Sequence, residues 1–125
     1  MSDPERLSNP AKTVERLEPQ QILENCAALG LDSSILASCL VVTPISLQRW
    51  QAGRAKPNAA SLRKLDKLNA IYHLAARLLK NDAVKPWFQS PNETLGGERP
   101  LELLSRGEFD QVRNVLGMLE SGVYS

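Results

Sequence analysis

Histidine is all but missing from this chain, with His73 the single instance in 125 residues. No cysteine, aspartate or second histidine stands at ligand spacing around it, so a Cys–His or Ser–His–Asp catalytic set and a histidine-bearing metal centre have nothing to be built from. Cysteine is scarce too. Cys26 and Cys39 both fall inside amphipathic patterns, where a thiol behaves as a small apolar side chain, and both read as reduced core residues. No glycine-rich loop precedes a helix, and Gly96-Gly97 lacks the third glycine and the strand of a dinucleotide fingerprint. Carboxylates do not cluster. The expectation is a protein that is not an enzyme and takes no metal or cofactor. No apolar run approaches the ~20 residues a bilayer demands, so no membrane partner is expected. The opening MSDPERLSNPAK shows no apolar signal segment, so a cytoplasmic protein is expected.

What is present is a core-forming composition, 42% hydrophobic, and a net charge of +1 that hides an asymmetry. Arg49, Arg54, Lys56, Arg63, Lys64 and Lys67 face Asp66 alone in the middle of the chain. From Asn92 onward Glu93, Glu98, Glu102, Glu108, Asp110 and Glu120 outnumber Arg99, Arg106 and Arg113. A basic middle and an acidic end imply two surfaces with different tasks; the plainer alternative is two solvated faces.

Residues 1–18 are polar, contain Pro4 and Pro10, and read as a mobile arm with at most a short helix over residues 11–17. Pro19 opens a helix to Gly30 that buries Ile22, Leu23, Cys26, Ala27 and Leu29. Asp32 caps a second helix, with Ile35, Leu36, Cys39 and Leu40 on one stripe. After Val41-Val42, Thr43 caps a third helix with Pro44 at its first position. Ile45, Leu47 and Trp50 are expected inward, with Ser46, Gln48, Arg49 and Gln51 outward. Gly53 and Pro57 end it. Two short helices across a tight turn, the second bearing Ser, Gln and Arg, are the layout of a helix-turn-helix.

The pattern L-A-x-x-L-V-V-T-x-x-S-L-x-R-W-x-x-G-x-x-x-P, Leu36 to Pro57, resembles the DNA-binding domain of the Xre repressor family. Docked as that resemblance implies, Thr43, Pro44, Ser46, Gln48 and Arg49 face the major groove. Arg49 can pair with a guanine edge and Gln48 with an adenine edge. Arg54, Lys56 and Arg63 lie in reach of phosphates. The family usually has glycine where this chain has Val41, because that turn position favours positive φ. Either the turn is built differently or the domain has altered DNA reading; a three-helix bundle without a nucleic-acid role also stays open.

Asn58 caps a long helix reaching about Lys80, with Leu62, Leu65, Leu68 or Asn69, Tyr72, Ala75 and Leu79 along one stripe. Residues 81–85 read as a polar connector and Pro86 as the start of a second unit, a loop followed by helices from Pro100 to Gly107 and over residues 108–120. The last is expected to turn Phe109, Val112, Val115, Leu116 and Leu119 inward.

Here the pattern W-F-x-x-P-N-x-x-L-G-G-x-x-P-L-E-L-L-x-x-G-x-x-x-x-V-x-x-x-L-x-x-x-x-x-G-V-Y, Trp87 to Tyr124, resembles the C-terminal toxin-binding domain of the MbcA/ParS/Xre antitoxins. The resemblance implies an all-α protein: an arm over residues 1–18, an Xre-like helix-turn-helix bundle with a long connecting helix over 19–80, and a small helical toxin-binding domain over 86–125. It implies a partner, a RES-domain toxin that destroys NAD, and repression of the protein's own operon by binding operator DNA. The protein would act as a homodimer or as a toxin–antitoxin hetero-oligomer. The matched positions expected to serve toxin binding are Trp87, Phe88, Asn92, Leu95, Gly96, Gly97, Pro100, Leu103, Leu104, Val112, Leu116, Leu119, Gly122, Val123 and Tyr124. The final Gly-Val-Tyr either inserts into a concave pocket of the toxin or folds back on its own domain. A stand-alone DNA-binding regulator is the alternative function.

Overall fold

Local sequence chemistry starts and stops the helices. In the computed structural model, which describes residues 18–121, α1 (Pro19–Ala28) opens on its proline. α2 (Ser33–Leu40) is capped by Asp32, whose Oδ1 accepts the Ile35 amide at 2.9 Å. α3 (Pro44–Gln51) is capped by Thr43, whose Oγ1 accepts the Ser46 amide at 3.1 Å. α4 (Ala59–Leu78) is capped by Asn58, whose Oδ1 accepts the Ser61 amide at 2.9 Å. Each cap satisfies an amide that helix geometry leaves without a partner. Then come α5 (Asn81–Gln89), a 3-10 turn (Glu93–Leu95), α6 (Pro100–Ser105) and α7 (Phe109–Ser121). The fold is all-α, as expected; the one extended pairing among the described residues is an isolated antiparallel bridge between Asn92 and Glu98.

Four helices end in one motif, an amide reaching back five residues: Leu31 to Cys26, Val42 to Ala37, Arg54 to Arg49 and Glu108 to Leu103, at 2.8–3.3 Å. This stop requires a left-handed residue. Glycine supplies it at Gly30, Gly53 and Gly107. After α2 it is Val41, at φ 57° and ψ 52°, the single non-glycine residue with positive φ among those described. The turn therefore takes the left-handed geometry that glycine favours, with a β-branched side chain where that geometry is strained.

The buried side chains form one cluster. α4 is its axis, lying along α1 on one side and α7 on another, while α2 packs on α6. Leu65, Leu68, Ile71 and Ala75 of α4 meet Leu23 and Cys26 of α1 and Val112 and Leu116 of α7 within this cluster. Asn25 Nδ2 adds a hydrogen bond to Asn69 Oδ1 at 3.2 Å between α1 and α4. Cys26 and Cys39 are free thiols in the core, and burial pushes both up to about 12.

Several expectations fail in detail. Ile45 points to solvent, 69% exposed, because no described element covers the first turn of α3. The α4 stripe begins at buried Ser61, while Leu62 is exposed, and Ile71 rather than Tyr72 fills its centre. Ala27 is exposed. The largest correction is at residues 81–85, which are helical rather than a connector. α5 runs through Pro86 and buries Val84 and Phe88 one turn apart. Proline's fixed φ suits a helix; what is lost is its missing amide, which would have reached the Asp82 carbonyl.

Candidate DNA-facing and partner-facing surfaces

The first surface is built on α3. Leu47 and Trp50 anchor it, the tryptophan 6% exposed, and they turn Gln48 and Arg49 outward. Thr43 and Pro44 are exposed at its start. Ser46 is half-buried, and the Thr43 hydroxyl donates to Ser46 Oγ at 3.1 Å, so both residues serve the cap. Arg54, Lys56 and Arg63 are exposed. None of Arg49, Arg54, Lys56, Arg63, Lys64 and Lys67 makes an ion pair with another described residue. Their charge is uncompensated by those neighbours, which gives the face the positive potential that attracts a polyanion. The sequence reading missed Ile45 and Val41 as surface residues; they are the most exposed large apolar side chains among the described residues.

The second surface is built around Asn92, 8% exposed. Its Oδ1 accepts the Thr94 amide at 2.9 Å, capping the 3-10 turn. Its own amide donates to the Glu98 carbonyl at 3.0 Å, and its carbonyl accepts from Leu95 at 3.0 Å and Gly97 at 2.9 Å. Closing so short a loop demands two successive left-handed residues, and Gly96 and Gly97 supply φ of 72° and 87°. The N-x-x-L-G-G spacing is thereby explained as one hydrogen-bonded loop. Phe88, Pro100, Leu103, Leu104, Val112 and Leu116 are buried beneath it, so whatever they contribute to a partner passes through the shape they hold. Leu95 and Leu119 pack half-buried at the edge of the core.

Trp87 stays half-buried, its ring edge-on to Phe88 with centroids 4.9 Å apart. With Leu79, Asp82, Ala83, Pro86, Ser90 and Pro91 it lines an open groove of about 530 Å³. The acidic residues nearby are largely clamped by arginine: Arg106 to Glu98 and Glu108, Arg99 to Glu102, and Arg77 of α4 to Glu120 of α7. Hydrogen bonds that Arg106 donates to Glu108 and Glu98 hold its guanidinium still further toward the charged form. Gly122, Val123 and Tyr124 lie outside the described residues. Among those described, no group of three or more His, Cys, Asp or Glu side chains is placed to hold a metal, and no helix is long and apolar enough to cross a membrane.

Comparison with known proteins bears on this second surface. Residues 74–122 match the family described as the antitoxin Xre/MbcA/ParS C-terminal toxin-binding domain. The matched span begins inside α4 and takes in the groove, the Asn92 loop, α6 and α7. The mycobacterial cidal antitoxin MbcA of Mycobacterium tuberculosis and of Mycobacterium bovis is 28% identical over 96 residues, 77% of this chain and 85% of the relative. A probable mycobacterial cidal antitoxin of Mycobacterium tuberculosis is 25% identical over 120 residues, 91% of this chain and 98% of the relative. Among solved structures, a chain of the M. tuberculosis MbcT–MbcA toxin–antitoxin complex superposes with a TM-score of 0.69 at 24% identity, covering 88% of this chain and 99% of that one.

Proposed function

We propose that this chain, whose residues 74–122 match the toxin-binding domain of the Xre/MbcA/ParS antitoxins, neutralises a RES-domain, NAD-degrading toxin and represses its own operon. The observation that carries the toxin half is the Asn92 loop. The polar and glycine positions of the pattern are here spent on one rigid turn, which follows directly in the chain on Ser90 and Pro91 of the Trp87 groove. A preformed groove with a tryptophan at its rim suits a protein partner, because aromatic anchors in desolvated pockets dominate interface energies. The relatives' names, and the complex in which the structural neighbour was solved, support the same reading.

The repressor half is supported by α3, which is anchored by Leu47 and Trp50 and turns Gln48 and Arg49 outward, with the exposed, unpaired Arg54 and Lys56 following it in the chain. Base readout would come from Gln48 and Arg49. Affinity would come from Arg54, Lys56 and Arg63 neutralising phosphates.

Co-expression with a RES-domain toxin tests the first half. Cellular NAD should be preserved with this chain and collapse without it; equal collapse in both overturns the proposal. A gel shift on the DNA upstream of its own coding sequence tests the second. Binding there should weaken steeply as salt rises, because released counterions drive it. Affinity no greater than for an unrelated duplex would remove the repressor half.

A further inference from the structure

Ile45 is an outlier on a face otherwise suited to nucleic acid. It lies in the first turn of α3 and is 69% exposed, so the core does not require it. A β-branched residue there also forfeits helix propensity relative to alanine. Its helical neighbours on the same face, three and four residues on, are Gln48 and Arg49, both exposed. Arg54 and Lys56 follow α3 in the chain and Arg63 stands near the start of α4, all three exposed and with no ion pair to any described residue. An exposed apolar side chain one turn from an unpaired arginine fits a partner that is polyanionic outside and carries isolated apolar groups inside. The major groove is such a surface. Its phosphates line the rim, and the C5-methyl of thymine is the apolar feature presented on its floor.

Resting on the repressor half of the proposed function, we infer that Ile45 is a specificity-determining residue that packs on thymine methyl groups beside the bases contacted by Gln48 and Arg49. The operator should therefore hold thymine next to the positions these two side chains read. A glutamine paired with adenine and an isoleucine on thymine methyls would together favour A·T pairs, with arginine adding a guanine.

The test isolates the methyl group. The upstream duplex is prepared twice, once with thymidine and once with deoxyuridine throughout, and binding of the full chain and of its Ile45→Ala variant is measured on both. Burying one methyl is worth about 0.8 kcal/mol, or about fourfold in Kd. Wild type should lose about fourfold or more on the uracil duplex, while Ile45→Ala, weakened on the thymine duplex, should bind both alike. A matching melting temperature for the variant shows that the fold is intact. Equal binding of wild type to the two duplexes overturns the inference and leaves repression standing. Equal sensitivity of wild type and variant to uracil also overturns it, since the methyl would then act through DNA shape. No preference for the upstream duplex removes repression and this inference together. An Ile45→Ala chain that binds DNA normally but fails to protect cells from the toxin would assign the face to the protein partner, and the inference would be lost.

Discussion

Val41 offers a direct measurement of what the turn costs. Its φ of 57° places a β-branched side chain in the left-handed region, at a position where three other helices in this chain use glycine. That conformation carries a penalty of about 1–2 kcal/mol. Replacement by glycine removes the penalty but gives back about 0.4–1 kcal/mol, because glycine has more freedom to lose on folding. Little burial is forfeited, as Val41 is 77% exposed. We predict that Val41→Gly stabilises the protein by about 1 kcal/mol, raising Tm by about 3–5 °C for a chain of this size. The reciprocal change completes the argument. A Cβ added at Gly107 meets no atom within 4 Å, so Gly107→Ala tests φ alone. It should destabilise by about 1 kcal/mol. Urea titration of the three proteins, with m-values held in common, checks both signs. A Val41→Gly chain that melts below wild type, with Gly107→Ala also neutral, would refute the strain assignment.

Three further outcomes follow from the same structure. Asn92→Ala removes the acceptor of the Thr94 amide and should cost about 1–2 kcal/mol in urea unfolding, with Asn92→Asp recovering most of it; a neutral alanine variant would mean the loop is held otherwise. Cys26 and Cys39 should resist alkylation at pH 8 in the folded protein. Their folded values near 12 exceed the ordinary 9, so the unfolded chain releases those protons first, and stability should fall from pH 9 toward 12 by up to about 1.4 kcal/mol per pH unit for each thiol. A Cys26→Ala/Cys39→Ala chain with the same alkaline slope would contradict this. Leu68→Ala, fully buried on α4, should cost about 2–5 kcal/mol, and single-tryptophan variants reporting from Trp50 or Trp87 should show that loss equally; separate transitions would show that the core is divided.

Features written in a few adjacent residues were legible before any coordinates. Asp32, Thr43 and Asn58 cap as read because capping is a three-residue interaction. Trp50 is core as read because α3 has only one face that the rest of the chain can cover. Readings that depend on what lies opposite a helix fared worse. Periodicity turns Ile45 inward, and only the absence of an overlying element turns it out. Ser61 and Leu62 exchanged places because a small side chain can sit where a long one cannot. Pro86 looked like a boundary since proline usually ends a helix, yet Val84 and Phe88 bury enough surface one turn apart to carry α5 through it. At the candidate partner site, a sequence pattern cannot separate residues that touch a partner from residues that shape the surface. Asn92 and Phe88 stand in the pattern beside Trp87, but burial sets them apart.

The shared core links the two proposed activities. α4 packs on α1 on one side and on α7 on the other, and α2 rests directly on α6. Neither surface can shift as a rigid body without disturbing the cluster that supports the other, since close-packed interiors transmit strain instead of absorbing it. Arg77 of α4 clamps Glu120 in the last turn of α7, so the end of the partner-facing helix is tied to the same axis that carries Arg63 near its start. A toxin seated against α5 and α7 would therefore press on α4, and α4 on the basic face. Coupling of this kind is reciprocal: if toxin changes operator affinity, operator must change toxin affinity by the same factor. Operator affinity that levels off at a finite value under saturating toxin identifies coupling through one folded chain, whereas an apparent Kd that climbs without limit as toxin rises identifies competition for a single face.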